Sequence, residues 1–286
     1  MNIRKVCVIG GGLMGRQIAL NTAIYPFEVT VTDTMETVRE AVRTWSEEYL
    51  AGRIAKGRMT EEQVAEIKSR FHVVDTLEEA LKDADLVIEA IVEREDIKKD
   101  LFRQVCALVR EDTIIATNSS RMPSSLFIDA VTNPSRLLNL HYFNPALVMK
   151  LTEVVKGEHV SDEVAQAVYD FSKATGKKPI MINKEVEGFV VNRILKAIQD
   201  EAYWLVEQGY CTYEEVDIAC ENGLSHPMGP FRLRDLTGID LAYDIMTRTY
   251  EKTGVKPNGY ELIKEKYDQG FYGKKSGRGF YDYTQK

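Results

Sequence analysis

Three consecutive glycines, followed by Leu13, Met14 and Gly15, interrupt the chain just after the apolar run Val6-Cys7-Val8-Ile9. Beyond them Ile18 and Leu20 continue at helical spacing, so the segment reads as buried strand, tight turn, helix. Gly10-Gly11-Gly12-Leu13-Met14-Gly15 fits G-x-G-x-x-G. Gly10 allows the sharp turn, Gly12 leaves room for a pyrophosphate, and Gly15 lets the helix approach the strand. Free N–H groups at the helix start, on Leu13 and Met14 among others, favour an anion. A second β-branched run, Glu28 to Thr32, ends at the acid Asp33. Strand, glycine turn, helix, strand and acid together form a dinucleotide-binding fingerprint. Asp33 accepts from ribose hydroxyls and would repel a 2′-phosphate, and no arginine follows it immediately, so the expected cofactor is NAD.

Further strand-like runs follow at Phe71–Val74, Leu86–Ile91, Thr113–Thr117 and Leu137–His141, separated by helical stretches such as Asp96–Val109. This alternation implies an α/β fold: a Rossmann-type, doubly wound, mostly parallel sheet with helices on both faces. Met35 to Arg70 is helical and heavily charged, broken by Gly52 and Gly57, and Thr60 to Gln63 reads as a helix cap. That pattern is an inserted helical hairpin. Past Ile182 the strand signal fades. Helical patterns then cover Phe189–Glu207, Thr212–Asn222, Ile239–Glu251 and Tyr260–Tyr267, with a turn at Pro227-Met228-Gly229-Pro230. The expected division is a nucleotide-binding domain over 1–186 and an all-helical domain over 187–286.

At 286 residues, two domains of ~150 each are the expectation. A net charge of −7 argues against nucleic acid as the main partner, because phosphate binding needs a concentrated positive field. Cys7, Cys106, Cys211 and Cys220 are scattered, without a CxxC pair, and read as reduced thiols rather than as disulfides or a metal site. No apolar run approaches the ~20 residues of a membrane helix and no secretory segment is evident, so the expected location is the cytoplasm.

Four histidines occur, His72, His141, His159 and His226. His141 stands apart because it ends a predicted strand, and ligands of parallel α/β sheets bind beyond the carboxyl ends of the strands. An imidazole there suits proton exchange near neutral pH. Spacing does not say which carboxylate pairs with it; Glu153, on the β-like run Leu151 to Val155, is one candidate.

The stretch His141-Tyr142-Phe143-Asn144-Pro145, with Val148 through Val155, resembles the signature of the L-3-hydroxyacyl-CoA dehydrogenase family. The resemblance extends over essentially the whole chain. It includes Ile88 to Glu93, Gly188 to Arg193, Pro227 to Pro230 and Gly273 to Gly277. Length and arrangement are most similar to the short bacterial 3-hydroxybutyryl-CoA dehydrogenases. The resemblance implies an acyl-CoA substrate, with His141 as base and Glu153 as its partner. It implies Ser120 and Asn192 on the reacting oxygen. Glu93, Lys98, Ser120, Asn144 and Lys275 would contact the cofactor. A homodimer or higher homo-oligomer is implied as well.

The chain departs from the family pattern in three places. The usual Ser-Asn-Thr-Ser-Ser-Leu run is here Thr117-Asn118-Ser119-Ser120-Arg121-Met122, and Tyr142 stands where phenylalanine is common, adding a polar group. Arg121 either bends to solvent or bonds to backbone, or it meets a substrate acyl chain that bears its own carboxylate or another polar group. At the CoA-phosphate lysines of the hairpin, one matching position is Gly52; Lys56 is retained, with Arg53 and Arg58 nearby. Two other readings stay open: a dehydrogenase of a free 3-hydroxy acid or sugar acid, and a non-catalytic NAD-binding relative.

Overall fold

The computed structural model describes residues 2–284. The chain divides into two compact units, Met1–Val190 and Val191–Lys286. The division lies beyond the sequence break at 187 because Phe189 packs against Val155 and Ile182 of the first unit, holding residues 187–190 to the sheet.

The first unit is built on an eight-stranded sheet: β1 (Lys5–Ile9), β2 (Glu28–Thr32), β3 (Phe71–Val73), β4 (Leu86–Glu89), β5 (Ile114–Thr117), β6 (Leu137–Tyr142), β7 (Leu151–Val155) and β8 (Lys178–Ile182). Their order across the sheet is β3-β2-β1-β4-β5-β6-β7-β8. All pairings are parallel except β6 with β7. The order reverses between β1 and β4, which opens a crevice beyond their carboxyl ends. β8 tolerates Pro179 because it is an edge strand.

One apolar cluster, with Val8, Ile18, Leu20, Ile88 and Leu140, fills one face of the sheet; a second, with Cys7, Val87, Phe102 and Phe127, fills the other. Alternate residues of β1 thus supply both layers, as a strand buried on both faces requires. Helix α1 (Leu13–Ala23) follows the glycine turn. The hairpin consists of α2 (Glu36–Ala55) and α3 (Glu61–Arg70), which bury Val42, Leu50, Val64 and Ile67 in the first cluster. Gly52 does not break α2 as expected; the helix runs through it and the chain reverses at Gly57, where φ is +62°. Thr60 and Gln63 form the anticipated capping box. On the far side of the sheet, α4 (Leu77–Leu81) precedes β4 and α5 (Glu95–Leu108) follows it, whereas α6 (Asp162–Ala174), between β7 and β8, packs Val164, Val168 and Phe171 into the first cluster.

The second unit is helical: α7 (Val191–Glu207), α8 (Tyr213–Gly223), α9 (Pro230–Thr237), α10 (Ile239–Thr253) and α11 (Tyr260–Asp268). Its core joins Ala202, Tyr203, Val216, Phe231, Ile239, Ala242, Ile263 and Phe280. The segment read as a plain turn at Pro227 to Pro230 leads into α9, with Pro230 at the first helical position, where its missing N–H and fixed φ are no handicap. No described helix is long and apolar enough to cross a membrane, and all four cysteines are free thiols.

Candidate active site

The glycine turn is built as its spacing requires. Gly10 has φ +105°, and a Cβ there would lie 2.5 Å from the Ala90 carbonyl oxygen. A Cβ on Gly15 would sit 1.7 Å from the Gly10 oxygen, so only glycine lets α1 close on the turn. Around Gly12 there is no atom within 4 Å of the added carbon. That free space, at the N-terminus of α1, suits a pyrophosphate. Asp33 is fixed by two backbone donors, Gly11 N to Oδ2 at 2.9 Å and Met35 N to Oδ1 at 3.0 Å. Each oxygen keeps lone-pair capacity for ribose hydroxyls. Arg39 does reach this corner, yet its guanidinium is spent on the Asp33 carbonyl at 2.8 Å and on Asp75 at 3.1 Å. The corner therefore fits NAD.

Beyond the carboxyl ends of β4 and β5 lies a polar network that the sequence reading only partly captured. Glu89, fully buried, accepts from Lys98 Nζ at 2.6 Å and Ile91 N at 2.7 Å through Oε1, and from the Thr117 hydroxyl at 2.6 Å through Oε2. Lys98 is 1 % exposed and also reaches Glu93 Oε2 at 3.1 Å. Glu93 Oε1 in turn accepts from the Ser119 hydroxyl at 2.6 Å and Ser120 N at 3.3 Å. Lys98, expected on the cofactor, is thus clasped between two carboxylates and positions Glu93. Glu89, assigned no role from sequence, carries the network. Its signal was there to read: an acid closing the apolar run Leu86-Val87-Ile88 needs a buried partner.

The loop that bears Ser120 is locked from its own backbone. Ser119 Oγ accepts from Met122 N at 2.9 Å and Arg121 N at 3.3 Å. Asn139 Nδ2 donates to the Met122 carbonyl at 2.9 Å and the Ser119 carbonyl at 3.3 Å. Asn118 Oδ1 accepts from Tyr142 N at 2.9 Å, tying the loop to the end of β6.

His141 faces Glu153 across the antiparallel β6–β7 pair, where the two are register partners. Nδ1 lies 2.8 Å from Glu153 Oε2. Glu153 is fully buried, and its Oε1 accepts from Val190 N at 3.0 Å. The turn that presents this donor is strained, since Phe189 holds φ at +50°. Rings of Phe143 and Phe189 flank the imidazole at centroid distances of 4.5 and 5.9 Å. No other hydrogen bond to the ring forms among the described residues, so the bond to Glu153 makes Nδ1 the donor and leaves Nε2 as the available acceptor. The assembly can hold an imidazole in one tautomer and one orientation.

Tyr142 corrects an expectation. Its side chain is buried in the core cluster, where burial pushes its phenol above the ordinary value, so it brings no polar group to the site. Asn144 is exposed on the loop after β6. At the end of α2 stand Arg53, Lys56 and Arg58; Arg53 Nε is buried without a hydrogen-bond partner among the described residues, and Lys56 and Arg58 are exposed. In the second unit, Asn192 lies on the first turn of α7, and Lys275 Nζ donates to Asp240 at 2.5 Å. His159 is occupied by the Leu137 carbonyl at 3.0 Å, and His72 stands 3.6 Å from Glu28 on the surface.

Residues 5–186 match the NAD-binding domain of 3-hydroxyacyl-CoA dehydrogenase, and residues 188–283 match the C-terminal domain of the same family. A probable 3-hydroxybutyryl-CoA dehydrogenase of Bacillus subtilis is 38% identical over 100% of this chain and 99% of its own length. Among solved structures, the (S)-3-hydroxybutyryl-CoA dehydrogenase of Ralstonia eutropha superposes with TM-score 0.90 at 33% identity, covering 99% of this chain and 100% of that one. A 5-formyl-3-hydroxy-2-methylpyridine 4-carboxylic acid 5-dehydrogenase is similar at TM-score 0.76 and 28% identity, over 99% of this chain and 92% of that one.

Proposed function

The chain belongs to the 3-hydroxyacyl-CoA dehydrogenase family and is an NAD-dependent enzyme, and from that premise we propose that it interconverts short-chain L-3-hydroxyacyl-CoA and 3-ketoacyl-CoA, with His141 and Glu153 as an acid–base pair. The observation that carries this reading is the 2.8 Å bond between His141 Nδ1 and a fully buried Glu153. In the oxidative direction His141 Nε2 takes the proton of the 3-hydroxyl, and Glu153 stabilises the imidazolium that forms. In the reductive direction the imidazolium returns that proton to the ketone oxygen. General acid–base help of this kind is worth about 10²–10⁴-fold. The nicotinamide, when bound, supplies the two-electron acceptor or donor for C3. Gly12 and the start of α1 would hold the pyrophosphate of the cofactor and Asp33 its adenosine ribose, and Glu93, Asn144 and Lys275 are assigned to the remainder.

The Ser120 hydroxyl and the Asn192 amide are assigned to the 3-oxygen, where a lost donor costs about 3–4 kcal/mol by analogy with oxyanion holes. Arg53, Lys56 and Arg58 are assigned to CoA phosphate. NADH absorbance tests the reading, with acetoacetyl-CoA compared against free acetoacetate and against NADPH. Oxidation of NADH by the thioester alone is the expected result. Oxidation by free acetoacetate alone would replace the substrate with a free 3-hydroxy acid.

A further inference from the structure

Arg121 is the one position of the Ser120 loop at which a long cationic side chain stands where the family's pattern has a small serine, and it is exposed with no partner for its guanidinium among the described residues. Several other surface arginines find acids: Arg94 meets Asp96 at 2.5 Å, Arg103 meets Asp100 at 2.7 Å, Arg110 meets Asp85 at 2.8 Å, and Arg278 meets Asp282 at 2.8 Å. The Arg121 guanidinium has no hydrogen bond or ion pair among the described residues, in a chain with 44 acidic side chains. Glu93, the acid nearest along the network, is already taken up by Lys98, Ser119 and Ser120 N.

The backbone beneath Arg121 is immobilised from several directions. Its own N–H is held by Ser119 Oγ, the next N–H by the same oxygen, and the flanking carbonyls of Ser119 and Met122 by Asn139. A free arginine on a fixed loop has lost backbone entropy before any ligand arrives, which is the condition for selective binding. Its fork of N–H donors matches a carboxylate in two parallel bonds.

We propose that Arg121 is a carboxylate receptor that sets acyl-group selectivity. The preferred substrate then carries a carboxylate on the acyl chain beyond C3, making it a dicarboxylic 3-hydroxyacyl-CoA. The proposal rests on the placement of Ser120 at the 3-oxygen, since Arg121 is its neighbour in sequence.

The test compares 3-oxoadipyl-CoA with 3-oxohexanoyl-CoA, equal in length and different only in the terminal carboxylate, in the wild type, Arg121→Ser and Arg121→Lys. NADH binding by fluorescence checks that each variant is folded. In the wild type kcat/KM should favour the acidic thioester by about tenfold or more, a preference that Arg121→Ser abolishes and Arg121→Lys keeps in part. A wild-type ratio at or below one overturns the proposal, as does a preference that Arg121→Ser does not move. Reduction of free acetoacetate that depends on Arg121, with both thioesters silent, would keep the carboxylate receptor and overturn the acyl-CoA reading. Should no acceptor react, calorimetry with adipyl-CoA and hexanoyl-CoA in the presence of NAD decides, and equal affinities count against Arg121.

Discussion

Buried carboxylates serve different ends in the two units. In the first, Glu153 faces the imidazole of His141 and Glu89 faces the ammonium of Lys98. In the second, Asp217 and Asp235, each 1 % exposed, face amides and phenols. Asp217 accepts from Phe231 N at 2.8 Å, Arg232 N at 3.0 Å and the Tyr281 hydroxyl at 2.8 Å. Asp235 accepts from Phe280 N and Tyr281 N, both at 2.9 Å, and from the Tyr283 hydroxyl at 3.1 Å. Burial is alike, but the partners differ. A carboxylate beside a titratable ring with one nitrogen open can bias a proton. A carboxylate filled by amide donors can only hold chain segments together, here α9 and residues 280–283. Burial pushes the Asp235 carboxyl above its usual range even against these donors.

The sharpest way to break this contrast is His141→Ala. Turnover should fall on the order of 10³–10⁴-fold while NADH still binds, as measured by stopped-flow rates and fluorescence titration. Near-normal turnover would remove His141 as the base. Next in size is Glu153→Gln. The Val190 amide claims the remaining oxygen, so the new NH₂ meets His141 Nδ1 and forces the proton onto Nε2. A drop in kcat on the order of 10²–10³-fold is expected, with substrate KM little changed, because the wrong tautomer cannot accept the hydroxyl proton.

Asp235→Asn should behave otherwise. One backbone N–H loses its acceptor, costing about 1–3 kcal/mol in urea unfolding, with kcat of the folded fraction within a few-fold of wild type. A hundredfold loss of kcat without loss of stability would erase the distinction between a carboxylate that clamps the chain and one that faces a titratable ring.

Lys177 gives the smallest effect and sharpens the contrast from within the first unit, because it is a buried cation used as a clamp. Its ammonium holds the Ala146 and Met149 carbonyls of the loop after β6, and burial brings its pKa down to about 8. The folded value lies below the unfolded one, so the unfolded chain binds the extra proton between about pH 8 and 10.5. Wild-type stability relative to Lys177→Met should therefore rise with pH across that window in urea titrations, and a flat difference would contradict the assignment.

Much of this could be read before any fold was known. G-x-G-x-x-G followed by a strand and an acid leaves few alternatives, because Gly10 and Gly15 have steric partners that any side chain would strike. His141 stood out by its place at a strand end. Less visible were features set by distant contacts. Gly52 sits inside α2 because the helix is held by Val42 and Leu50 in the core, which outweighs a single residue's propensity. Tyr142 turned inward because its position on β6 faces the packed layer.

Local chemistry and periodicity in the sequence determined the strand–turn–helix unit, the acid at Asp33, the parallel sheet and the imidazole at the end of β6, since each depends on residues close together along the chain. Tertiary structure decided the antiparallel register that sets Glu153, a partner only the family resemblance implied, against His141, the joint burial of Glu89 and Lys98, and that no acid among the described residues reaches Arg121. Those outcomes depend on which strands become neighbours and on how much water is excluded around them, and neither quantity is encoded at any single position.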